Sequence, residues 1–200
     1  MLEVQIDPTG CASVILNRAE MHNAFNEHLI VKILTTFKDL SETENVRVIV
    51  LSAEGRSFSA GADLNWMQRM AQNNHHDNLA DAKVLSQMLH AIYTCPKPTL
   101  AAVQGPCYGG GVGLIACCDI AIASEAATFS FPEVKLGIIP ATIAPYVIAS
   151  IGERKAHRYF LTAERFDVRE ALKMGLVHEV VPSDQLMVAI EKIIIKILKN

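Results

Sequence analysis

Hydrophobic and polar positions follow two periods along the chain. Short apolar or alternating runs predict strands, and they occur in LEVQID, ASVILN, VRVIVLSA, TLAAVQG, DIAIAS, TFSF and LVHEVV. Between them, apolar residues at spacings of three and four predict helices, most clearly one that begins near Asn26 and runs through Leu29, Ile33 and Phe37. Strands that alternate with helices, with no linker between them, predict one α/β domain over residues 1–200.

Further helices are predicted over 77–94, 153–163, 167–174 and 184–198. Asp167 and Glu170 have the spacing of a capping box, Gly175 is a stop signal, and Ser183 is expected to cap the last helix. That helix is apolar on most of its faces and must be covered by something. Since nothing is left in the chain to cover it, we expect a partner subunit or a further segment of chain to do so.

Composition narrows the classes of function. Half of the residues are hydrophobic, a fifth are charged, the net charge is -3 and the pI is about 6.2, which gives no basic excess for nucleic acid. The five cysteines form no CxxC pair and are expected to be buried thiols in a reducing compartment. With neither a long apolar run nor a secretory signal, we expect a cytoplasmic protein without a membrane span.

One glycine-rich stretch, YGGGVGLIACCD (108–119), is a candidate for chemistry. It lacks the lysine of a Walker loop and the third glycine of a dinucleotide fingerprint. Glycines at the start of a helix expose backbone N–H groups that attract negative charge, but they serve equally in a tight turn. From this stretch alone the tight turn is favoured. Gly113 lies within the predicted helix, where glycine costs about 1 kcal/mol relative to alanine.

Several segments, taken in order, resemble the crotonase, or enoyl-CoA hydratase/isomerase, superfamily. They are LNRAEMHNAF (16–25), FSAGADLNWM (58–67), PTLAAVQGPCYGGGVGLIACCDIAIAS (98–124) and FPEVKLGIIP (131–140). The resemblance implies a crotonase-like spiral of repeated ββα units that assembles as a homotrimer or dimer of trimers. It implies an acyl-CoA substrate and no permanently bound cofactor or metal, because CoA arrives as part of the substrate. Family chains usually continue through C-terminal helices, so this domain is expected to lack that extension.

The resemblance also implies roles for particular residues. The backbone N–H groups of Ala62 and Gly110 would hold the thioester oxygen, a Cβ at 110 would obstruct the thioester, and Glu133 would transfer protons. Burial is expected to raise the pKa of Glu133. The implied substrate and CoA contacts are Met21, His22, Ala24, Ala60, Asp63, Leu64, Trp66, Gly109, Gly113, Pro132 and Pro140. Family members often carry Lys or Arg in the 19–24 loop, where this chain has Met21 and His22.

Gly113 is the main departure from the family pattern, because typical hydratases carry a first glutamate there and a second at Glu133. The chain is particularly similar to bacterial methylglutaconyl-CoA hydratases, whose substrate carries its own carboxylate. We expect that carboxylate, or a water, to fill the space left at Gly113, with Asn65 or Arg69 as candidate partners. A Δ3-Δ2-enoyl-CoA isomerase with one glutamate and a catalytically reduced acyl-CoA binder remain alternatives.

Two other functions have weaker support. Some methylglutaconyl-CoA hydratases bind RNA, but the pI and the absence of a basic stripe argue against nucleic-acid binding here. His75 and His76 have no further ligand at a repeating spacing, so no metal site is predicted.

Overall fold

Nine strands and eight α-helices form two β-sheets with helices packed around them in the computed structural model, which describes residues 1–199. The strands are β1 (Leu2–Ile6), β2 (Cys11–Leu16), β3 (Val48–Ala53), β4 (Thr99–Val103), β5 (Cys107–Tyr108), β6 (Ile120–Ser124), β7 (Thr128–Ser130), β8 (Phe166–Asp167) and β9 (Glu179–Val181). The helices are α1 (Glu27–Glu42), α2 (Leu64–Met70), α3 (His75–Tyr93), α4 (Gly110–Cys117), α5 (Ala144–Ile151), α6 (Glu153–Thr162), α7 (Val168–Met174) and α8 (Leu186–Leu198). Short 3-10 turns span Ala19–Met21, Pro132–Leu136 and Ser183–Gln185.

The larger sheet has the strand order β1-β2-β3-β4-β6-β9, and the smaller has the order β5-β7-β8. The first two predicted strands form a β-hairpin, since β1 pairs antiparallel with β2 and Leu2 lies opposite Leu16. From β2 onward the larger sheet is parallel. The α/β prediction is therefore confirmed, and the parallel strands bring the loops that follow β3 and β4 to one edge of the sheet.

Helix boundaries mostly agree with their sequence signals. The Asn26 side chain accepts a hydrogen bond from the Leu29 N–H at 2.9 Å, and Asp167 accepts one from the Glu170 N–H at 2.9 Å. Gly175 ends α7 in the left-handed conformation, with φ of 88°. The prediction that Ser183 caps the last helix is wrong. The chain first makes a 3-10 turn, and α8 begins only at Leu186, without a side-chain cap.

Helix α8 lies on one face of the larger sheet. Its Leu186, Ala189 and Ile190 are buried in a second apolar cluster with side chains such as Val48 and Val50 of β3. The expectation that nothing in this chain covers the last helix is therefore wrong, since the sheet covers one side of it. Met187, Val188 and Ile195 stay exposed on the other side of the helix.

The opposite face of the larger sheet carries the main core. Ile49 and Leu51 of β3 alternate with the α8-facing residues and pack with Leu29 and Ile33 of α1 and with Leu89 of α3. Among residues 1–199, no helix is both long and apolar enough to cross a membrane.

Candidate active site

The loop after β3 is tied to two other segments by backbone hydrogen bonds. The Phe25 N–H donates to the Gly61 carbonyl and the Asp63 N–H to the Phe25 carbonyl, both at 2.7 Å. The Tyr108 N–H donates to the Ser59 carbonyl at 2.9 Å. These bonds fix the backbone of this loop beside the turn that opens α4. They engage the Gly61 carbonyl and the Asp63 N–H, the groups on either side of Ala62.

Two backbone N–H groups at this junction are free to bind a ligand. Within residues 1–199, neither Ala62 nor Gly110 donates its N–H to a backbone or side-chain acceptor. Gly110 is the first residue of α4, where an N–H has no intrahelical partner. The preceding Gly109 has φ of 51° and donates its own N–H to the Ser130 carbonyl at 2.9 Å. Both free donors border the same cavity.

That cavity has a volume of about 370 Å³ and a largely apolar lining. It contains the sequence-predicted residues Ala60, Ala62, Leu64, Trp66, Gly109, Gly110, Pro132, Glu133 and Pro140. Met67 and Ile143 also line it, as the resemblance implies for Trp66–Met67 and for the segment 140–146, whereas Phe25 and Lys135 are side chains that the sequence reasoning had not assigned. A site of this composition can accept a small apolar group next to backbone donors and one acid.

Glu133 is the acid of this cavity and lies in the 3-10 turn after β7. Its Oε2 atom is buried without a hydrogen-bond partner within the described residues, and burial raises the pKa of its carboxyl, against a smaller lowering by its own backbone N–H. A half-buried carboxylate with a raised pKa and an unpaired oxygen can accept a proton from a group in the cavity.

Different neighbours leave no room for a side chain at Gly109 and at Gly110, the two glycines at the start of α4. A Cβ on Gly109 would lie 2.9 Å from Glu133 Oε1, so a bare backbone at 109 allows the carboxylate to approach. A Cβ on Gly110 would lie 2.9 Å from Phe25 Cε2. The structure thus corrects the reason expected for Gly110, because a side chain there would meet the Phe25 ring rather than an open substrate path.

Gly113 does not border the cavity, because Ile143 covers it. A Cβ at 113 would overlap Ile143 Cγ2 and lie 2.9 Å from Ile143 Cβ, while Leu89 Cδ2 is 3.5 Å away. Ile143 is 2% exposed and itself lines the cavity. The expectation that a substrate carboxylate or a water fills the space at Gly113 is therefore wrong, since a branched alkyl side chain already fills it.

Asp63 holds the loop and does not line the cavity. Its carboxylate pairs with Arg18 at 2.8 Å and accepts from the N–H groups of Asn65 and Trp66 at the start of α2. Burial alone raises the pKa of Asp63, but the hydrogen bonds from Arg18 and from the α2 backbone hold it below its usual value. Ala24 is also buried outside the cavity, and its carbonyl accepts from Arg18 Nη1 at 2.9 Å.

The 19–24 loop borders a second, smaller depression of about 360 Å³. His22 and Ala60 line it together with Arg56, whose Nη2 lies 3.3 Å from His22 Nε2, while His22 Nδ1 lies 3.0 Å from Ser57 Oγ. Met21 is exposed and lines neither depression. Arg56 was missed because it belongs to the loop after β3, which only the fold brings beside residue 22.

Asn65 and Arg69, the residues expected to bind a distal carboxylate of the substrate, lie outside the cavity. Arg69 Nη2 donates to Glu27 Oε1 at 2.8 Å and to Oε2 at 3.1 Å, and neither Arg69 nor Asn65 lines the cavity. The cationic side chain that does line it is Lys135, an exposed residue in the same turn as Glu133. No pattern in the sequence distinguished this lysine from a solvated one. His75 and His76 are exposed at the start of α3, and residues 1–199 contain no group of three or more His, Cys, Asp or Glu side chains that could hold a metal ion.

Comparisons with known proteins agree with this architecture. A putative enoyl-CoA hydratase of Thermus thermophilus is 33% identical over 98% of this chain and 78% of its own length. The structure of a putative enoyl-CoA hydratase/isomerase (crotonase) from Legionella pneumophila is 47% identical with a TM-score of 0.93, covering 96% of this chain and 73% of that one. An enoyl-CoA hydratase from Shewanella pealeana is 43% identical with a TM-score of 0.96, covering 100% of this chain and 74% of that one. The likeness confirms the crotonase-like fold.

The chain is shorter than its relatives. It spans between 57% and 63% of the length of three enoyl-CoA hydratases from Alternaria alternata. The model of the enoyl-CoA hydratase/isomerase family nevertheless matches residues 7–200. This chain therefore belongs to the enoyl-CoA hydratase/isomerase family.

Proposed function

We propose that the chain is an enoyl-CoA hydratase that acts on a branched enoyl-CoA thioester, with methylglutaconyl-CoA as the first candidate. The observation that carries the proposal is one constellation: Glu133, whose Oε2 atom has no hydrogen-bond partner among residues 1–199, shares an apolar cavity with the N–H groups of Ala62 and Gly110, which donate to no acceptor in the same part of the chain. Donors and a base converge on the space that a conjugated thioester would occupy.

The two N–H groups would bind the thioester oxygen. When water adds to C3, negative charge moves onto that oxygen, and fixed backbone donors stabilise it without reorganising. Removing one such donor typically costs about 3 kcal/mol of transition-state stabilisation. The first turn of α4 adds the favourable end of a helix dipole.

One carboxylate suffices for the proton balance of hydration. Glu133 takes a proton from water as the oxygen bonds to C3, and the electron pair of the C2–C3 bond moves toward the thioester oxygen. The protonated Glu133 then gives its proton to C2, which restores the carboxylate and the thioester. The product is a 3-hydroxyacyl-CoA, in which CoA remains attached through the thioester.

The isomerase alternative is favoured by a separate observation. Ile143 places an alkyl group where a side chain at 113 would stand, so the inner wall of the cavity is apolar. Migration of a double bond needs no bound water, because Glu133 would take a proton from C2 of a 3-enoyl-CoA and return it to C4. A catalytically reduced acyl-CoA binder would use the same cavity without either reaction.

A substrate panel separates these functions. The chain as given would be assayed with methylglutaconyl-CoA, crotonyl-CoA and 3-hexenoyl-CoA, and the products would be identified by mass. We expect addition of one water to methylglutaconyl-CoA. Conversion of 3-hexenoyl-CoA to its 2-enoyl isomer without water uptake would favour the isomerase, and binding without turnover of all three would favour the binder.

The proposal extends to the CoA path, the assembly and the location of the protein. The depression lined by His22 and Arg56 would receive the CoA phosphates, with Arg56 supplying the charge that Met21 and His22 lack. Exposed apolar side chains beside the cavity, including Leu136, Ile138 and Ile139, are suited to a homotrimer or dimer of trimers, which sedimentation would test. Cytoplasmic location is part of the same proposal, and nucleic acid is not among the proposed partners.

A further inference from the structure

Ile143 occupies a position between a helix backbone and the candidate substrate. It packs on Gly113 so closely that no side chain fits there, and its other surface lines the cavity that holds Glu133. It is 2% exposed and immediately precedes α5, so its place is fixed by the core.

The position of Gly113 on α4 indicates which part of the substrate Ile143 would meet. Gly113 lies three residues after Gly110, so both lie on one side of the helix, about 5 Å apart. If the thioester oxygen binds at the Gly110 N–H, carbon C3 of the acyl chain lies two bonds beyond the carbonyl carbon. Ile143 would then face the groups attached to C3.

We propose that Ile143 is a specificity-determining residue that limits the size of the C3 substituent. The proposal rests on the proposed function, because it takes the thioester oxygen to lie at Ala62 and Gly110. Its side chain closes the space above Gly113, and the absence of any side chain at 113 allows it to sit there. The two positions act as a pair, in which the large side chain before α5 requires a residue without a side chain at 113 on α4.

The first test compares selectivity between a methyl and a propyl group on C3. Crotonyl-CoA and 2-hexenoyl-CoA would be assayed with the wild type, Ile143→Ala and the control Ile151→Ala. Ile151 is a buried isoleucine at the far end of α5 and does not line the cavity. We expect Ile143→Ala to raise the ratio of kcat/KM for hexenoyl over crotonyl by about tenfold or more. The Ile151→Ala ratio should stay within twofold of the wild type.

A binding arm keeps this test independent of turnover. The dissociation constants of butyryl-CoA and hexanoyl-CoA, which cannot be hydrated, would be measured calorimetrically for the same three proteins. The preference of Ile143→Ala should shift toward hexanoyl-CoA even if no enoyl-CoA is turned over. Unchanged ratios in both arms, or an equal shift in Ile151→Ala, would overturn the assignment of Ile143. Failure of turnover with a shifted binding ratio would count against the hydratase alone.

The second test addresses the pairing with Gly113. Gly113→Ala should lower the melting temperature because its Cβ would overlap Ile143 Cγ2, and Ile143→Ala should remove that overlap and leave only the 2.9 Å approach to Cβ. We expect Gly113→Ala to destabilise the Ile143→Ala background less than it destabilises the wild type. Additive shifts in melting temperature would contradict the pairing.

Discussion

The backbone of Gly109 approaches Glu133 so closely that a Cβ at 109 would lie 2.9 Å from the carboxylate Oε1 atom. Gly109 also has a positive φ of 51° and immediately precedes α4. The same residue therefore sets the start of the helix and leaves room for the proposed base. A side chain at 109 is therefore expected to disturb both the start of α4 and the position of the Glu133 carboxylate.

Gly109→Ala is expected to displace the Glu133 carboxylate and to lower kcat by about 100-fold, the lower range for losing a positioned acid or base. The backbone at Gly109, with φ of 51° and ψ of -122°, alone adds about 1–3 kcal/mol of strain for alanine. Gly152→Ala is a matched control, because Gly152 has φ of 81° with no atom within 4 Å of the added Cβ. The control should lose stability but keep kcat, and an equal loss of kcat in both variants would contradict the contact.

The pH dependence of activity should reflect the raised pKa of Glu133. As a base, Glu133 must be ionised, so kcat/KM should fall as the pH drops through its pKa. Because burial raises that pKa, the acidic limb should lie above the pH range of an ordinary glutamate. Initial rates of hydration between pH 4 and 9 (roughly the range in which such groups titrate) would locate the limb. An acidic limb at or below the ordinary glutamate value would count against a buried base.

Glu133 should also make a pH-dependent contribution to stability. Its folded pKa lies above its unfolded pKa, so ionisation lowers the free energy of unfolding progressively as the pH rises above the unfolded pKa, and by the full amount above the folded pKa. Glu133→Gln should therefore raise the melting temperature at neutral pH, and the gain should shrink as the pH falls toward the unfolded pKa. Exposed Glu125→Gln is the control and should show no such gain. Thermal melts at several pH values would check both variants.

The Asp63–Arg18 pair should stabilise the loop that carries Ala62. Asp63→Ala leaves the Arg18 charge without its partner and removes the cap of α2, so we expect a loss of about 3 kcal/mol in the free energy of unfolding. The lowered pKa of Asp63 means that this contribution is present above its unfolded pKa and is lost as the pH falls through the folded pKa.

The exposed pair of Arg69 and Glu27 provides the contrast. Its side chains are 58% and 38% exposed, so Glu27→Gln should cost less than about 1 kcal/mol. Urea denaturation of the two variants would give both values. A loss for Asp63→Ala no larger than that for Glu27→Gln would show that the loop does not depend on the buried pair.

The sequence predicted the positions of the helices and strands better than it predicted which distant segments pack against them. Periodicity and capping signals located α1 and α7, because Asn26 and Asp167 act through bonds to backbone only three residues away. The cover of α8 depended on the far face of a sheet whose strands are distant in the chain, and local pattern carries no information about that face.

The candidate site shows the same division between local and long-range information. The motifs brought Ala62, Gly110 and Glu133 to attention, and the fold brings all three to one cavity. The filling of the space at Gly113 could not be predicted, because Ile143 lies thirty positions away in sequence and belongs to a different helix boundary. Likewise, the partner of Arg69 is Glu27, on a helix that no motif linked to it.

The central claim is that Glu133 alone carries the proton transfer of hydration. The most direct test is the steady-state rate of water addition to methylglutaconyl-CoA by the wild type and by Glu133→Gln, with circular dichroism to show that both are folded. The account predicts that kcat falls by about 1,000-fold in Glu133→Gln, within the range for loss of an acid–base group. A folded Glu133→Gln variant that retains kcat within tenfold of the wild type would contradict it.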